Sequence, residues 1–248
     1  YTGGPVRYPP TIAAGRAYVG SCDGWAYAFD AATGELAWRF RAAPAERRVP
    51  IHGSLISTWP AAAGVLVHDG VAYVAAGMND QDGTHVYALD AATGKIRWQN
   101  NTSGHLDAFS HRGVACQGEM LLHDGKLFLA GGNTVSPGVY DLRDGKCLNA
   151  PPTGMGSQAP RGRELTLVNG QVKVSGQPLY SHPASPVFDG SVQWTPESVR
   201  TKNAALSFQQ RGWGLVARAE TGQELWQQPL PAAPVRWGLA VDAEGRVI

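Results

Sequence analysis

A nine-residue phrase that occurs twice constrains the fold of this chain more than any other feature. The copies are Asp30–Trp38 (DAATGELAW) and Asp90–Trp98 (DAATGKIRW), which start 60 residues apart. A second marker, a glycine that opens an apolar strand, recurs every 55 residues at Gly15, Gly70 and Gly125. Two independent markers with similar periods predict a repeat architecture, in which each unit buries its apolar face against its neighbours.

The residues around each phrase predict two strands joined by a tight turn. Short segments of small and large apolar residues, Ala26–Phe29 and Val86–Leu89, come directly before the two Asp residues. An Asp side chain at this position can accept hydrogen bonds from the backbone N–H groups that follow it, and the Gly of the phrase supplies a positive φ. The segment Asp-Ala-Ala-Thr-Gly is therefore predicted to be a hairpin connection. The Trp that follows suits an interface between neighbouring sheets.

Two less regular copies extend the repeat along the chain. The segment Asp141–Asn149 keeps the Asp and the Gly but has Asn149 in place of Trp, and Arg218–Trp226 restores Thr-Gly and the Trp. The turn glycines of the four copies are separated by 60, 51 and 77 residues. The last interval is long enough to predict a degenerate unit within it.

The pattern of a strand followed by Ala-x-Asp-x-x-Thr-Gly-x-x-x-Trp resembles the pyrroloquinoline quinone (PQQ)-like β-propeller repeat. The family includes quinoprotein alcohol dehydrogenases and the propeller lipoprotein of the outer-membrane assembly machinery. The resemblance implies an all-β propeller of four-stranded antiparallel blades. It assigns blade docking to Trp38, Trp98 and Trp226, and turn formation to Asp30, Asp90 and Asp141. The predicted blades are roughly 7–45, 60–100, 113–150, a degenerate 160–205, and 211–248.

Composition agrees with such a fold and excludes other classes of function. The 248 residues are 43% hydrophobic, and 31 Gly and 17 Pro suit many turns. We expect residues 1–248 to form one propeller region, an incomplete arc of about four to five blades from a longer chain. The net charge is +1 without a basic stripe, so nucleic acid is not expected as a partner. No apolar stretch is long enough to predict a transmembrane segment.

The three cysteines, Cys22, Cys116 and Cys147, follow no metal-ligand spacing. An odd number leaves at least one thiol unpaired within this sequence. A disulfide between Cys116 and Cys147 in an oxidising compartment is one alternative, and free thiols are the other.

Candidate site residues lie where the repeat is interrupted, because residues that obey the repeat are explained by packing. The interruptions are 44–60 and 100–117, which occupy equivalent places in successive blades. In a functional reading, an arginine binds an anionic group and a histidine transfers a proton. In a structural reading, the same side chains anchor long loops. The predicted ligand-binding residues are Arg47, Arg48, His52 and His105; no catalytic or metal-binding residue is predicted.

Quinoprotein chemistry finds little support in the residues present. PQQ and calcium are cofactors that the resemblance implies, yet the chain lacks the adjacent cysteines of those enzymes. The segment Asn79–Gly83 alternates carboxylates like a calcium loop, but it is too short and lacks the closing Glu, so we predict a turn between two strands. No hydrolase or phosphate-loop motif occurs.

Three hypotheses on function follow. The first is a non-catalytic, exported bacterial propeller, periplasmic or extracellular, that binds a protein partner or a small ligand on its face. The second is a PQQ- and calcium-dependent oxidoreductase whose cofactor residues lie outside this sequence. The third is an accessory propeller domain of a larger enzyme.

Overall fold

The structure is a computed structural model that divides into two compact units, Tyr1–Ser181 and His182–Ile248. The residues it describes are 1–51, 54–132, 134–153, 159–160, 162–176, 198–200, 206–211, 214–219 and 223–229.

The described part of the first unit consists of short strands and two one-turn 3-10 helices, Asp80–Asp82 and Ser103–His105. The strands are β1 (Thr11–Ala13), β2 (Arg16–Gly20), β3 (Trp25–Asp30), β4 (Leu36–Arg41), β5 (Arg48–Ile51), β6 (Ser54–Ser57), β7 (Val65–His68), β8 (Val71–Ala76), β9 (His85–Asp90), β10 (Ile96–Asn100), β11 (Met120–His123), β12 (Lys126–Leu129), β13 (Gly138–Asp141), β14 (Glu164–Val168) and β15 (Gln171–Ser175).

These strands pair with their sequence neighbours in antiparallel sheets. Strands β1 to β4 and β7 to β10 each form a four-stranded meander, and β11 to β13 form a three-stranded one. The hairpins β5–β6 and β14–β15 complete the unit. The second unit contains another four-stranded meander of β16 (Ser198–Arg200), β17 (Leu206–Arg211), β18 (Gly214–Ala219) and β19 (Glu224–Pro229).

Two-residue turns join the first two strands in four of these sheets. The turn residues are Ala14-Gly15, Asp69-Gly70, Asp124-Gly125 and Asn169-Gly170, and all eight have positive φ. This conformation matches the right-handed twist of the flanking strands, which is why glycine holds the second position each time. The glycines of the first three turns are the repeat marker of the sequence, which was expected to open a strand at each position. The fourth was missed, although Asn-Gly between apolar residues is a strong hairpin signal.

The Asp side chains of the repeated phrase form turns, as predicted. The Asp30 carboxylate accepts hydrogen bonds from the backbone N–H groups of Ala32 and Thr33 at 3.0 and 2.8 Å. The Asp90 carboxylate accepts one from Thr93 at 3.0 Å, and the Asp141 carboxylate accepts one from Arg143 at 2.9 Å. The turn ends at a glycine with positive φ in each copy.

Two apolar cores lie between successive sheets of the first unit. The first joins β1–β4 to β7–β10 and includes Tyr18, Trp38 and Leu89; the second joins β7–β10 to β11–β13 and includes Tyr73 and Leu127. Many of the other buried residues of the first core are alanines, and these small side chains leave room for the aromatic rings in a closely packed interior.

The fold is an incomplete all-β propeller of four-stranded antiparallel blades, as predicted. The blade boundaries remain predictions. The degenerate blade expected at 160–205 lies largely outside the described residues, although the hairpin β14–β15 falls within it.

Candidate functional site

The long connections of the first unit gather at one end of its sheets. In a meander, successive connections alternate between the two ends of the strands. The two-residue turns and the Asp turns therefore share one end, which we call the short-turn end. The other end includes the long connections 42–64, 77–84 and 101–119, which together we call the loop face. Hydrogen bonds link these connections directly: Thr84 Oγ1 donates to the Val114 carbonyl at 2.6 Å, and the Cys116 N–H donates to the Gly77 carbonyl at 2.8 Å.

The segment Asn79–Gly83 lies at the centre of the loop face and forms a 3-10 helix rather than a simple turn. The Asn79 side chain caps it by accepting a hydrogen bond from the Gln81 N–H at 3.2 Å. The Asp80 side chain is buried, and its carboxylate accepts a hydrogen bond from the Gly113 N–H at 3.2 Å. Asp80, which lies in the predicted turn, thus also links the connection 77–84 to the connection 101–119.

Arg47 lies beside this helix from the side of the connection 42–64. Its guanidinium is 3.4 Å from the Asp82 carboxylate and 5.8 Å from the centroid of the Trp59 ring. The indole N–H of the buried Trp59 donates to the Asp82 carbonyl at 2.6 Å. This hydrogen bond links the connection 42–64 to the connection 77–84. The Arg47–Asp82 pair is largely exposed and contributes little to stability by itself.

His105 lies beside the same helix from the side of the connection 101–119. Its Nε2 atom is 3.2 Å from the carbonyl oxygen of Gln81, and its ring centroid is 4.7 Å from that of His111. The half-buried His85 ring packs edge-on against Trp59 at 6.3 Å. Burial lowers the pKa of His85, and the neighbouring His105 lowers it further. At neutral pH His85 is therefore an uncharged ring in the wall of the loop face.

The four predicted ligand-binding residues do not all meet. Arg47 and His105 contact adjacent residues, Asp82 and Gln81. Arg48 instead pairs with Glu46 of its own connection at 3.5 Å, with both side chains exposed. His52 lies outside the described residues. The ligand-binding role of the set stays a prediction.

Phe109 is the residue of the loop face that the sequence analysis missed. It lies at the tip of the segment 106–112, which we call the Phe109 loop, and its side chain is 97% exposed. The loop is closed by the Asp107 N–H, which donates to the Arg112 carbonyl at 3.0 Å. The Asp107 carboxylate accepts hydrogen bonds from the Phe109 N–H at 3.0 Å and from Ser110 Oγ at 2.6 Å. An aromatic residue between the small residues Ala108 and Ser110 of this loop was the available signal.

The described residues do not fit the PQQ–calcium site that the fold family implies. The carboxylates of Asn79–Gly83 are already bonded, Asp80 to backbone N–H groups and Asp82 to Arg47. In the described part of the chain, no group of three or more His, Cys, Asp or Glu side chains is placed to hold a metal ion.

Cys116 and Cys147 are thiols, so the alternative of a disulfide between them is not realised. The Cys116 sulfur lies 4.0 Å from the Gly118 carbonyl, whereas the Cys147 sulfur lies 3.5 Å from Asn149 Oδ1. The two side chains therefore turn toward different partners. Burial raises the pKa of the Cys116 thiol to about 12, which makes a thiolate there unfavourable.

A cavity of about 190 Å³ lies at the start of the first strand of three sheets, β1, β7 and β11. Thr11, Val65 and Met120, which are the first residues of β1, β7 and β11, line it together with Tyr8 and Glu119. Glu119 Oε2 accepts a hydrogen bond from the Leu165 N–H at 2.9 Å, and burial raises the pKa of this carboxyl. The cavity walls are mostly apolar, with polar side-chain groups on Tyr8, Thr11 and Glu119.

A family model matches most of the chain. A family model described as outer membrane protein assembly factor BamB matches residues 2–211. No curated protein sequence matches significantly. No helix in the described ranges is both long and apolar enough to cross a membrane.

Solved structures that align with the chain share little sequence with it. The crystal structure of BamB from Moraxella catarrhalis aligns with a TM-score of 0.45 at 15% identity, covering 100% of this chain and 74% of that chain. The computationally designed Ika4 protein gives 0.41 at 12%, covering 93% and 94%. A europium-containing methanol dehydrogenase gives 0.41 at 14%, covering 98% and 44%, so the present chain spans less than half of that enzyme.

Proposed function

This chain belongs to the family of the outer membrane protein assembly factor BamB, and from that premise we propose that it is a β-propeller binding module that contacts a protein partner through its loop face. The proposed role is binding rather than catalysis. We further propose that the module is exported and acts in the periplasm of a bacterium, on the assembly of outer-membrane proteins.

The observation that supports this proposal is the exposure of Phe109 at the tip of its loop. A fully exposed phenylalanine gains none of the stabilisation that burial of its ring would give, so the ring is free to be buried by a partner instead. Exposed aromatic side chains are the typical anchors of protein interfaces, where they fill a pocket on the partner. Phe109 is 97% exposed, and none of the described residues covers it.

The Phe109 loop is shaped before any partner arrives. The hydrogen bonds of Asp107 to Phe109, Ser110 and Arg112 set the backbone of the tip. The hydrogen bonds that the Asp107 carboxylate accepts from Ser110, the larger cause, and from Phe109 also lower the pKa of this carboxyl. A preformed loop lowers the entropic cost of binding because less of its backbone has to be ordered on contact.

A second apolar position lies on the other long connection. Pro50 and Leu55 are opposite each other in the hairpin β5–β6, and both side chains are exposed. Their neighbours Val49 and Ile56 lie on the other face of the hairpin and contribute to a small core beneath it. Polar side chains of Arg47 and His105 accompany these anchors, which is the usual arrangement of apolar contacts with a polar rim.

Site-specific photocrosslinking tests the proposal. Phe109 and, separately, Leu36 are replaced by p-benzoyl-phenylalanine in the full-length protein in its native cell envelope. Leu36 is the matched control because it is also exposed but begins β4 at the short-turn end of the sheets. We expect crosslinks from position 109 to a protein of outer-membrane-protein assembly, and none of that product from position 36.

Crosslinking that is absent at position 109, or equal at both positions, contradicts the proposal. A second variant, Phe109→Ala, separates contact from folding. We expect it to weaken co-purification of the crosslinked partner at least about tenfold, as for an interface anchor. Its thermal unfolding should match that of the unchanged protein, since the side chain packs on nothing in the described structure. Fractionation of the envelope tests the periplasmic location independently.

A further inference from the structure

The structure brings together two histidines, His105 and His111, at the base of the Phe109 loop. His105 ends the 3-10 helix before the Phe109 loop, and His111 lies on the returning arm of that loop. Their ring centroids are 4.7 Å apart, with the ring planes tilted by 56°. The backbone bridge between Asp107 and Arg112 closes the loop between them and sets this distance.

The hydrogen bond of His105 orients its ring for a ligand. Its Nε2 lies 3.2 Å from the Gln81 carbonyl oxygen, which can only accept, so Nε2 carries the hydrogen. In the neutral ring the lone pair is then on Nδ1. Histidines that bind metal ions typically donate their other ring N–H to a carbonyl or carboxylate in this way. The backbone carbonyl of Gln81 thus accepts the Nε2–H of His105 and leaves Nδ1 available to a metal ion.

His111 complements this geometry. Its side chain is exposed, and its ring makes no hydrogen bond to any described residue. Its backbone has φ of 53°, in the left-handed region. Among residues other than Gly, this conformation is most common for Asn, Asp and His, so the loop accommodates His111 with its ring next to that of His105.

We infer that His105 and His111 form a two-imidazole site for a divalent first-row transition ion such as Zn²⁺, with His105 Nδ1 as one ligand atom. Imidazole suits Zn²⁺, Cu²⁺ and Ni²⁺, whereas Ca²⁺ and Mg²⁺ take oxygen ligands. Because no third His, Cys, Asp or Glu of the described residues completes the set, water fills the remaining positions. The site is therefore open and binds more weakly than a closed four-ligand structural zinc site. A bound ion links the two arms at the base of the Phe109 loop.

Calorimetric titration of the untagged protein with ZnCl₂ at pH 7.5 tests the inference. The variants are His105→Ala and His111→Asn, the latter chosen because Asn tolerates the left-handed backbone at this position. The matched control is His68→Ala, since His68 is a single exposed imidazole at the short-turn end of the sheets, 3.3 Å from Asp69. We expect one Zn²⁺ per chain, a loss of affinity of at least about tenfold in both site variants, and no change in His68→Ala.

Three results would overturn the inference. One is unchanged affinity in either site variant. Another is an equal loss in His68→Ala, which indicates binding to scattered histidines. The third is Ca²⁺ binding at the same position in competition with Zn²⁺, which assigns the site to carboxylates instead. The titration needs no protein partner, so its outcome is independent of the crosslinking experiment, and unchanged unfolding of each variant without metal shows that the fold is intact.

Discussion

Gly94 lies directly beneath the indole of Trp38, across the boundary between the first two sheets. A Cβ atom at position 94 would stand 2.8 Å from Trp38 Cδ2. The indole N–H of Trp38 donates to the Ala91 carbonyl of the same turn at 2.9 Å. The contact recurs one sheet later, where Gly145 meets the ring of Trp98 and the Trp98 N–H donates to the Leu142 carbonyl at 2.9 Å. The repeated Gly therefore provides the positive φ of its own turn and leaves space for the Trp ring of the preceding sheet.

The substitution Gly94→Ala should destabilise the protein more than Gly34→Ala does. Both glycines have positive φ, 71° and 75°, so both variants lose about 1–2 kcal/mol to backbone strain. Only position 94 adds a steric clash, which costs about 1–3 kcal/mol more, because nothing lies within 4 Å of a Cβ at position 34. Urea unfolding measures the difference. Equal losses of unfolding free energy in the two variants would contradict the prediction, because they would show that the Trp38 ring moves aside without an energetic cost.

Trp38 should contribute far more to stability than Leu36 on the same strand. Trp38 is buried between the sheets, whereas Leu36 is exposed. We expect Trp38→Ala to cost about 3–5 kcal/mol and Leu36→Ala to cost less than about 0.5 kcal/mol. The variant Trp38→Phe keeps a ring but removes the donor to Ala91, so its loss should fall between them. Denaturant midpoints at a constant m-value test this order, and a small effect of Trp38→Ala contradicts it.

Asp90 should make stability depend on pH in the acid range. Hydrogen bonds from Arg97, the larger cause, and from Thr93 lower the pKa of this carboxyl to about 2. Because the folded-state pKa lies below the unfolded value near 4, the stabilisation is complete above about pH 4 and is lost as the pH falls toward 2. The variant Asp90→Asn should therefore be less stable than the unchanged protein at pH 5. The gap should narrow by pH 2, as thermal unfolding at both values will show.

A control variant checks the cause of the Asp90 effect. Because Arg97 is the first cause of the low pKa, Arg97→Gln should reduce the acid dependence while leaving Asp90 in place. A dependence on pH that is unchanged in both variants places the acid sensitivity elsewhere in the chain.

Ser103 and Tyr140 should be energetically coupled. Both are fully buried, and the Tyr140 hydroxyl donates to Ser103 Oγ at 2.7 Å. Removing one partner leaves the other buried without its hydrogen bond, at a cost of about 1–3 kcal/mol. We expect Ser103→Ala and Tyr140→Phe each to destabilise the protein, and the double variant to lose less than the sum. Additive losses in this double-mutant cycle would deny the coupling.

Prediction from sequence succeeded where the repeat governs the chain. The Asp turns at Asp30, Asp90 and Asp141 follow from local chemistry, and a strand begins directly after the marker glycine Gly70 as expected. The missed turn at Asn169-Gly170 carried an equally clear signal. Prediction was weaker on the loop face. Arg47 and His105 do lie against one helix, but Arg48 pairs with Glu46 within its own connection.

Residues within a few positions of one another were enough to predict the strands that flank the repeated phrase and the Asp turns between them, and the resemblance of the repeat added the all-β propeller class. Which distant residues meet depends on the packing of the whole unit, as Arg47 meets Asp82 and His105 meets Gln81. The same packing buries Trp38 and leaves Phe109 exposed. Turn chemistry is a matter of φ, ψ and the nearest hydrogen bonds, whereas exposure depends on what the rest of the chain places over a side chain.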